Sequence, residues 1–177
     1  MSSSAPQANE PTRQQREFRS AMANLSAAVS IVTTDGPYGR AGITVSAACS
    51  VTDAPPTMLV CVNRSSYTHD FFLGNGRLCV NVLGAGHQDI AMRFAGRGGM
   101  SLEERFTDAD WRLKGTGVPV LRDAVASVVG QITSHHAQGS HTVMFVLVDE
   151  VAARDDNGGL VYFQRRFHPL AAEPLTA

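Results

Sequence analysis

Donor groups of several kinds cluster in one turn of the chain, formed by Asn63, Arg64, Ser65 and Ser66. Amide, guanidinium and hydroxyl donors that converge in this way can bind an anionic group such as a phosphate. A continuous apolar run at residues 57–62 precedes the turn and is typical of a strand buried on both faces. The turn is therefore a candidate phosphate site, although an ordinary hairpin with a polar loop would show the same pattern.

A strand with unusually small side chains is predicted just upstream, at residues 43–52. Apolar and hydroxyl residues alternate along it, which indicates a strand with two unlike faces. Small side chains let a flat ligand approach the backbone, where amide groups can hydrogen-bond to it. Residues 53–56, Asp-Ala-Pro-Pro, end this strand because proline lacks the N–H that a ladder needs. A strand that admits a ring, followed by a turn that admits a phosphate, suits a flavin nucleotide.

Histidines are the other residues with recognisable chemistry. His135 and His136 are adjacent, so on a strand they point to opposite faces and cannot chelate one ion together. His141 follows Gly139 and Ser140 at a predicted strand start, and His168 closes a basic aromatic segment; single histidines of this kind are more often structural than functional. No HExxH motif or Ser-His-Asp order is present. If the chain is an enzyme, a bound cofactor is therefore expected to supply the reactive atoms.

The three cysteines, Cys49, Cys61 and Cys79, lie in apolar segments without a CxxC motif. This pattern argues against a disulfide framework and against a metal site, and predicts free thiols in a reducing cytoplasm. The first residues, Met-Ser-Ser-Ser-Ala-Pro, lack the apolar core of a secretory signal, which agrees with a cytoplasmic location.

Length and composition favour one globular domain. The chain has 177 residues, of which 44% are hydrophobic and 18% are charged. The net charge of −1 gives no electrostatic reason to expect nucleic acid as a partner. No apolar run approaches the ~20 residues that a membrane span needs, so no membrane is expected.

Element patterns predict a mainly β fold. Residues 1–11 are polar and are predicted to be a disordered N-terminal arm, after which Thr12 can cap a helix that runs to about residue 24. Gly84-Ala85-Gly86 lacks the third glycine of a GxGxxG fingerprint, so it is interpreted as a turn before a helix at residues 87–94. About seven strands and two or three short helices follow without regular alternation, which favours a closed antiparallel barrel over a doubly wound sheet.

Several segments in the same order carry a family resemblance. They are residues 18–24, 27–29, 43–53, 74–83, 93–96, 103–106, 139–141 and 159–169. Together they resemble the short-chain flavin reductases, and among these most resemble the reductase components of the 4-hydroxyphenylacetate 3-monooxygenase type. The resemblance covers about residues 18–170.

The resemblance implies a fold and an activity. The implied fold is a six-stranded Greek-key split β-barrel, the FMN-binding split barrel, with a few short peripheral helices, over residues 12–170 and followed by a tail at 171–177. The implied protein is a homodimer that binds FMN or FAD, oxidises NADH or NADPH, and supplies reduced flavin to a separate oxygenase. The absence of GxGxxG fits, because this family does not use a Rossmann domain.

The resemblance also implies positions for the functional residues. His141 matches the histidine of a Gly-Asp-His or Gly-Thr-His motif near the nicotinamide, and Ser140 cannot supply the carboxylate of the aspartate form. Flavin-ring contacts map onto Ile43, Thr44, Val45, Ser46 and Ala47, and phosphate contacts onto Cys49, Ser50, Asn63, Arg64, Ser65, Ser66 and Thr68. A loop near the flavin maps onto Phe94, Ala95 and Gly96, and the C-terminal residues that approach the ring map onto Phe167 and His168.

Two other functions remain open at this point. One is the related flavin reductase of pyrimidine-ring degradation, which shares much of the motif at residues 41–64. The other is a non-catalytic flavin-binding protein that keeps its FMN. The segment at residues 163–169, Phe-Gln-Arg-Arg-Phe-His-Pro, favours the reductase of an aromatic hydroxylase over the reductase of pyrimidine-ring degradation.

Overall fold

The computed structural model describes residues 10–96, 99–106, 111–113, 117–154 and 158–172. In this part of the chain the fold is mainly β, with three short helices and one 3-10 turn, as predicted. The helices are α1 (Arg13–Met22), α2 (His69–Asn75) and α3 (Gln88–Phe94), and the 3-10 turn is Glu104–Phe106. The strands are β1 (Ala27–Ala28), β2 (Ser30–Thr34), β3 (Ala41–Val45), β4 (Ala48–Asp53), β5 (Pro56–Asn63), β6 (Arg77–Val82), β7 (Trp111–Leu113), β8 (Pro119–Leu121), β9 (Ala126–Gln138), β10 (His141–Ala153), β11 (Gly159–Phe163) and β12 (Arg166–Leu170).

Helix α1 begins where the sequence predicts. The Thr12 hydroxyl accepts a hydrogen bond from the Gln15 N–H at 3.2 Å, and the Gln15 side chain accepts one from the Thr12 N–H at 2.8 Å. This reciprocal capping box satisfies two N–H groups that a helix start leaves without partners. No helix in the described residues is long and apolar enough to cross a bilayer. Most of the predicted N-terminal arm and of the C-terminal tail lies outside the described residues.

The main sheet has seven antiparallel strands in the order β3-β2-β6-β9-β10-β5-β4. Its two edge strands, β3 and β4, are consecutive in the chain and are separated only by Ser46 and Ala47. The Cα atoms of Val45 and Ala48 therefore lie at most about 11 Å apart. Because the two edges must meet at this point, the sheet curls upon itself.

The prediction of one strand over residues 43–52 is wrong. The chain breaks at Ser46 and Ala47 and passes from one sheet edge to the other. The Ala47 carbonyl still accepts a hydrogen bond from the Cys61 N–H at 2.9 Å, so the crossing is held to β5. The alternation of apolar and hydroxyl residues runs through the break, which explains why the pattern did not reveal it.

The sequence pattern also predicts two strands at residues 125–134 and 141–151 that are joined at residues 135–140, and a hairpin turn at residues 157–159 into the next strand. Both connections differ in the structure. His135 and His136 lie inside β9, and the β9–β10 connection is only Gly139-Ser140, where Gly139 takes the positive φ of 56° that glycine adopts freely in a tight hairpin. Strand β11 does not form a hairpin with β10, because it pairs with β1 and β12 in a separate three-stranded sheet. Short strands such as β1 and β7 account for most of the excess over the seven predicted.

The core lies on both sides of the main sheet. One cluster fills the inside of the curl, and buried Phe72 and Met144 are among its largest side chains. The second cluster packs α3 and the 3-10 turn against β2, and contains buried Ile31 and Phe94. Buried Asn81 joins three strands, since its amide donates to the Ile31 carbonyl at 3.0 Å and accepts from the Leu121 N–H at 2.8 Å. The second cluster thereby holds α3, which borders the site, against β2.

Candidate functional site

Three adjoining cavities lie along strand β3. The central cavity measures about 460 Å³. The turn cavity, beside the turn that follows β5, measures about 210 Å³. The helix cavity, beside α1, measures about 260 Å³.

Residues of β3 and the segment after it line the cavities in order. Ile43 lines the turn cavity, Thr44 and Val45 line the central cavity, and Ser46 lines both the central and the helix cavities. Because a strand rises about 3.3 Å per residue, these four positions span roughly 10 Å. Ala95 lines both the turn and the central cavities. The three cavities are therefore neighbours along β3, and together they are called the groove along β3.

The floor of the central cavity is an edge strand held firmly from behind. The Thr44 hydroxyl donates to the Ala91 carbonyl at 2.6 Å and ties β3 to α3. Gly42 packs so closely on Phe94 that a Cβ there would lie 2.6 Å from the Phe94 ring. In the sheet as described, β3 pairs with β2 alone. An edge strand leaves backbone N–H and C=O groups along its free side for another partner.

The turn cavity combines hydroxyl groups with a guanidinium group. Ser66 and Thr68 both line it, and their hydroxyl oxygens lie 2.9 Å apart. Arg105 lines it as well, and its Nε is buried without a hydrogen-bond partner in the part of the chain that the structure describes. Its Nη2 reaches the Met100 carbonyl at 3.4 Å. A buried N–H of this kind needs a partner, and an anion beside the two hydroxyls would supply one.

The remaining donors of the predicted phosphate turn serve the turn itself. The Asn63 side-chain oxygen accepts from the Ser65 N–H at 3.0 Å and from the Ser65 hydroxyl at 2.9 Å. The Arg64 N–H donates to the Ser140 carbonyl at 2.9 Å, and the Arg64 guanidinium lies 3.4 Å from the Gly139 carbonyl. These bonds shape the turn and join it to the β9–β10 hairpin, so that Ser66 is the turn hydroxyl that lines the cavity.

The β11–β12 hairpin forms a basic rim on the central cavity. Its turn residues, Gln164 and Arg165, have positive φ values of 48° and 63°, the left-handed pair that a tight hairpin turn requires. The Gln164 N–H donates to the Ala23 carbonyl at 2.7 Å, which fixes the turn to the end of α1. Arg165 and Arg166 both line the central cavity, as do Tyr162 and Phe167, whose rings pack edge to face at 5.2 Å.

The two histidines expected at the site lie outside the three cavities. His141 begins β10 and is exposed, with its Nδ1 2.9 Å from the Ser140 hydroxyl. His168 is also exposed, and its Nε2 lies 3.1 Å from the Phe163 carbonyl. Within a single chain both side chains therefore contact local groups of their own hairpins.

The cysteine thiols lie away from the groove. Burial and then the neighbouring Cys49 raise the pKa of the Cys61 thiol, so the uncharged form is favoured there.

The Glu104 carboxyl lies next to Arg105, which lines the turn cavity. Hydrogen bonds from the backbone and side chain of Ser101 lower the pKa of this carboxyl. The Ser101 N–H donates to that carboxylate at 2.7 Å and closes the capping box that the sequence Ser-Leu-Glu-Glu at residues 101–104 predicts at the start of a short turn.

The structure brings together just over half of the residues assigned to the functional site, His141 included. Those that line one of the three cavities are Ile43, Thr44, Val45, Ser46, Ser66, Thr68, Phe94, Ala95, Gly96 and Phe167. Those that do not line them are Ala47, Cys49, Ser50, Asn63, Arg64, Ser65, His141 and His168. Cys49 and Ser50 lie on β4, at the opposite edge of the sheet from β3.

Sequence reasoning assigned no role to other residues that line the groove. These residues are Tyr162, Arg165, Arg166 and Arg105, and they lie in segments that carry the family resemblance. The sequence gives their order in the chain but does not show that they line a cavity. The positive φ values of the β11–β12 turn occur at glutamine and arginine, so no glycine or asparagine marked the hairpin.

Comparison with known proteins gives one matching family model. The model of the flavin reductase like domain matches residues 22–171 of this chain. The match includes every residue that lines the central and turn cavities.

Named relatives and solved structures are similar over nearly the whole chain. The 4-hydroxyphenylacetate 3-monooxygenase reductase component of Pseudomonas aeruginosa is 47% identical, over 88% of this chain and 92% of its own length. The FMN reductase (NADH) RutF of Variovorax paradoxus is 48% identical, over 98% of this chain and 93% of its own. The solved structure of the NADH:FAD oxidoreductase SgcE6 of Streptomyces globisporus has a TM-score of 0.81 and 27% identity, over 94% of this chain and 99% of its own.

Proposed function

The chain belongs to the flavin reductase like domain family, and we propose that it is an NAD(P)H-dependent flavin reductase that supplies reduced flavin to a separate oxygenase. The observation that carries the proposal is the groove along β3. It places a cavity floored by an edge strand next to a cavity with two hydroxyls and a buried guanidinium N–H that has no partner among the described residues. A ligand with a flat ring and a phosphate on a short chain fits these two cavities, with the ring in the central cavity and the phosphate in the turn cavity.

Different residues of the groove bind the phosphate and the ring of a flavin. Ser66, Thr68 and Arg105 bind the phosphate in the turn cavity, where the guanidinium supplies the positive charge. The free edge of β3 offers backbone donors to the ring, and Thr44 keeps that strand rigid against α3. The lining of the central cavity leaves room for a second ring, since about 460 Å³ lies within the usual 300–1,000 Å³ of ligand sites.

The chain's own residues position the reactants in this scheme and do not act as acid or base. A bound flavin would supply the ring that accepts a hydride from the nicotinamide, and the groove would have to hold the two reactants in contact for this transfer. Tyr162 and Phe167 form an aromatic wall beside the floor of the cavity, which restricts where the second ring can lie. Arg165 and Arg166 attract the negative charge of the dinucleotide to the rim.

NADH oxidation by the purified protein should be fast only when FMN or FAD is added. The residues of the groove can hold the reactants, but the sequence contains no catalytic motif by which the protein itself would pass the hydride to an acceptor other than flavin. A steady-state assay of NADH absorbance with and without each flavin checks this. Rapid NADH turnover on an aromatic acceptor without flavin would refute the proposal, and tight FMN binding without turnover would support a non-catalytic flavin-binding protein instead.

The partner oxygenase belongs to the same proposal. We propose that the partner is an oxygenase of the 4-hydroxyphenylacetate 3-hydroxylase type. The P. aeruginosa relative and the segment at residues 163–169 support this proposal. The V. paradoxus relative supports the alternative of pyrimidine-ring degradation at nearly the same identity. Coupled assays with a 4-hydroxyphenylacetate oxygenase and with a pyrimidine oxygenase would separate the two. For the fold, we propose a six-stranded Greek-key split barrel over residues 12–170, in which β3 and β4, interrupted only at Ser46 and Ala47, count as one strand of the seven in the main sheet. We also propose a cytoplasmic location.

The protein should sediment as a homodimer of about twice 18.9 kDa. Along β10 the side chains of Thr142, Met144 and Val146 are buried, whereas the alternating Val143, Phe145 and Leu147 face outward and are half-buried. With Leu59 and Cys61 of the neighbouring strand β5, also half-buried, these residues form an apolar outer face on β5 and β10. A face of this kind is typical of a subunit contact.

A charge in the outer face tests the dimer. Phe145→Glu should shift the sedimenting species toward the monomer, because a carboxylate would be buried without a partner. Leu113→Glu, at a side chain 60% exposed on β7, is the matched control and should leave the dimer intact. A wild-type monomer with full activity at micromolar concentration would refute the homodimer.

His141 remains our proposal for the residue that orients the nicotinamide. It lies at the end of the outer face, on the same side of β10 as Val143, so we place its role in the assembled dimer. His141→Ala should lower kcat/KM for NADH by about ten- to a hundredfold, or ~1.4–2.7 kcal/mol, with little change in flavin affinity. His141→Asn should keep part of the activity because an amide can still hydrogen-bond. Unchanged NADH kinetics with a lower melting temperature would make the residue structural.

A further inference from the structure

A buried histidine beside the turn cavity has no role in the function described so far. His69 begins α2 directly after Thr68, and it is 8% exposed. Its Nε2 lies 2.9 Å from the hydroxyl oxygen of Thr142, which is buried on β10. Its Nδ1 lies 2.8 Å from a carboxylate oxygen of Asp70, whose side chain is exposed. His69 is therefore a polar link, inside the protein, between α2 and β10.

Asp70 sets the direction of the hydrogen bond between His69 and Thr142. An ionised carboxylate can only accept, so Nδ1 of His69 carries the hydrogen that is donated to Asp70. In a neutral imidazole ring Nε2 is then an acceptor, and the Thr142 hydroxyl donates to it. Because both partners of this bond are buried, the loss of either one leaves the other without a partner.

Strand β10 is the fixed side of this link. It pairs with β5 on one side and with β9 on the other, where Thr142 lies opposite Val62 and Ala137. The other side is less constrained, because α2 has only seven residues. A helix this short depends on tertiary contacts for its position. The link to Thr142 therefore positions the start of α2 against β10.

The start of α2 also carries the two hydroxyls of the turn cavity. The His69 N–H donates to the Ser66 carbonyl at 3.0 Å, and the Thr68 N–H lies 3.3 Å from the Ser66 hydroxyl. The hydroxyl oxygens of Ser66 and Thr68 lie 2.9 Å apart. Residues 66–69 thus form one hydrogen-bonded unit that His69 joins to β10. Two hydroxyls can bind the same phosphate only when both lie within hydrogen-bond distance of it, so their placement matters.

We propose that His69 is a positioning residue that holds the Ser66 and Thr68 hydroxyls in the arrangement that binds the flavin phosphate, an inference that rests on the proposed function. His69 lines none of the three cavities, so it acts through the turn and does not contact the flavin. The floor for the ring is β3, which Thr44 and Phe94 tie to α3 through contacts that do not include His69. Loss of the link should therefore weaken the phosphate contacts and spare the ring contacts.

Titrations with FMN and with riboflavin, which lacks the phosphate, test this role. In His69→Leu the preference for FMN over riboflavin should fall by about fivefold, the usual contribution of one hydrogen bond. Thr142→Val keeps the shape of the side chain, removes its hydroxyl, and should reduce the preference by a similar factor. The double variant should lose no more than either single variant, because both remove the same bond. His69→Gln should keep part of the preference, since its amide can still hydrogen-bond to Thr142.

Phe72→Leu is the matched control for damage to α2. Phe72 is fully buried on the same helix, but its ring packs in the cluster inside the curl. The melting temperature of Phe72→Leu should fall, and its preference for FMN over riboflavin should stay at the wild-type value. Steady-state kinetics give a second readout, in which His69→Leu should raise the KM for FMN and leave the KM for NADH near the wild-type value.

Several outcomes would overturn the inference. A lower melting temperature in His69→Leu with the wild-type preference for FMN would make the residue purely structural. An equal loss with both flavins, or a reduced preference in Phe72→Leu as well, would also overturn it. If His69→Leu does not fold, Thr142→Val decides, and an unchanged preference there overturns the inference. An FMN-specific loss in Arg105→Gln alone would leave the proposed function intact, whereas a wild-type protein that binds neither flavin would overturn both.

Discussion

Phe94→Ala should lower the free energy of unfolding by about 3–5 kcal/mol, the usual cost of removing a buried phenylalanine ring. Phe94 is 1% exposed and lies at the centre of an aromatic cluster, with ring centroids 5.0 Å from Phe106 and 5.3 Å from Trp111. The same ring packs against Gly42 beneath β3 and lines the turn cavity. Its loss therefore removes core packing and support for the groove together.

The matched control is the same substitution at Phe18, which is 64% exposed. Phe18→Ala should change stability by no more than about 0.5 kcal/mol. At equal protein concentration, the melting temperature of Phe94→Ala should fall by about 6–20 °C. Surviving Phe94→Ala protein should also bind FMN more weakly, because the strand under the ring loses its support. A melting temperature close to that of Phe18→Ala would show that the cluster tolerates the cavity, contrary to this account.

Local patterns predicted the parts of the fold that local physics determines. The start of α1 follows from Thr12 and Gln15, three residues apart, and its capping box is present in the structure. The end of α2 is equally local, since Gly76 takes the φ of 67° that suits glycine at a helix end. The helix predicted at residues 87–94 is also present, as α3 (Gln88–Phe94). Each of these elements depends on residues within a few positions of one another.

The features that the sequence did not predict depend on distant contacts. The break at Ser46 and Ala47 arises because β3 pairs with β2 and β4 pairs with β5, at opposite edges of the sheet. Cys49 and Ser50 are close in sequence to the strand that lines the groove, yet this crossing carries them away from it. Conversely, Arg105 is about forty positions from Thr68 in the chain, and only the fold brings both to the turn cavity.

Arg105→Gln should weaken FMN binding by about ten- to 150-fold, because hydrogen bonds to charged groups contribute about 1.5–3 kcal/mol. The guanidinium lines the turn cavity with Ser66 and Thr68, and its buried Nε has no partner in the described residues. A phosphate in this cavity would accept from that N–H and from the two hydroxyls. Ser66→Ala removes one neutral donor and should cost less, about 0.5–1.5 kcal/mol in flavin KM.

Riboflavin, which lacks the phosphate, makes the test specific. Binding of FMN and of riboflavin can be measured by flavin fluorescence titration for the wild type, Arg105→Gln and the exposed control Arg112→Gln. The loss in Arg105→Gln should appear with FMN and be absent with riboflavin, since both ligands share the ring on β3. An equal loss with both ligands would mean that Arg105 supports the shape of the groove through its contact with Met100. No loss with either would place the phosphate outside the turn cavity.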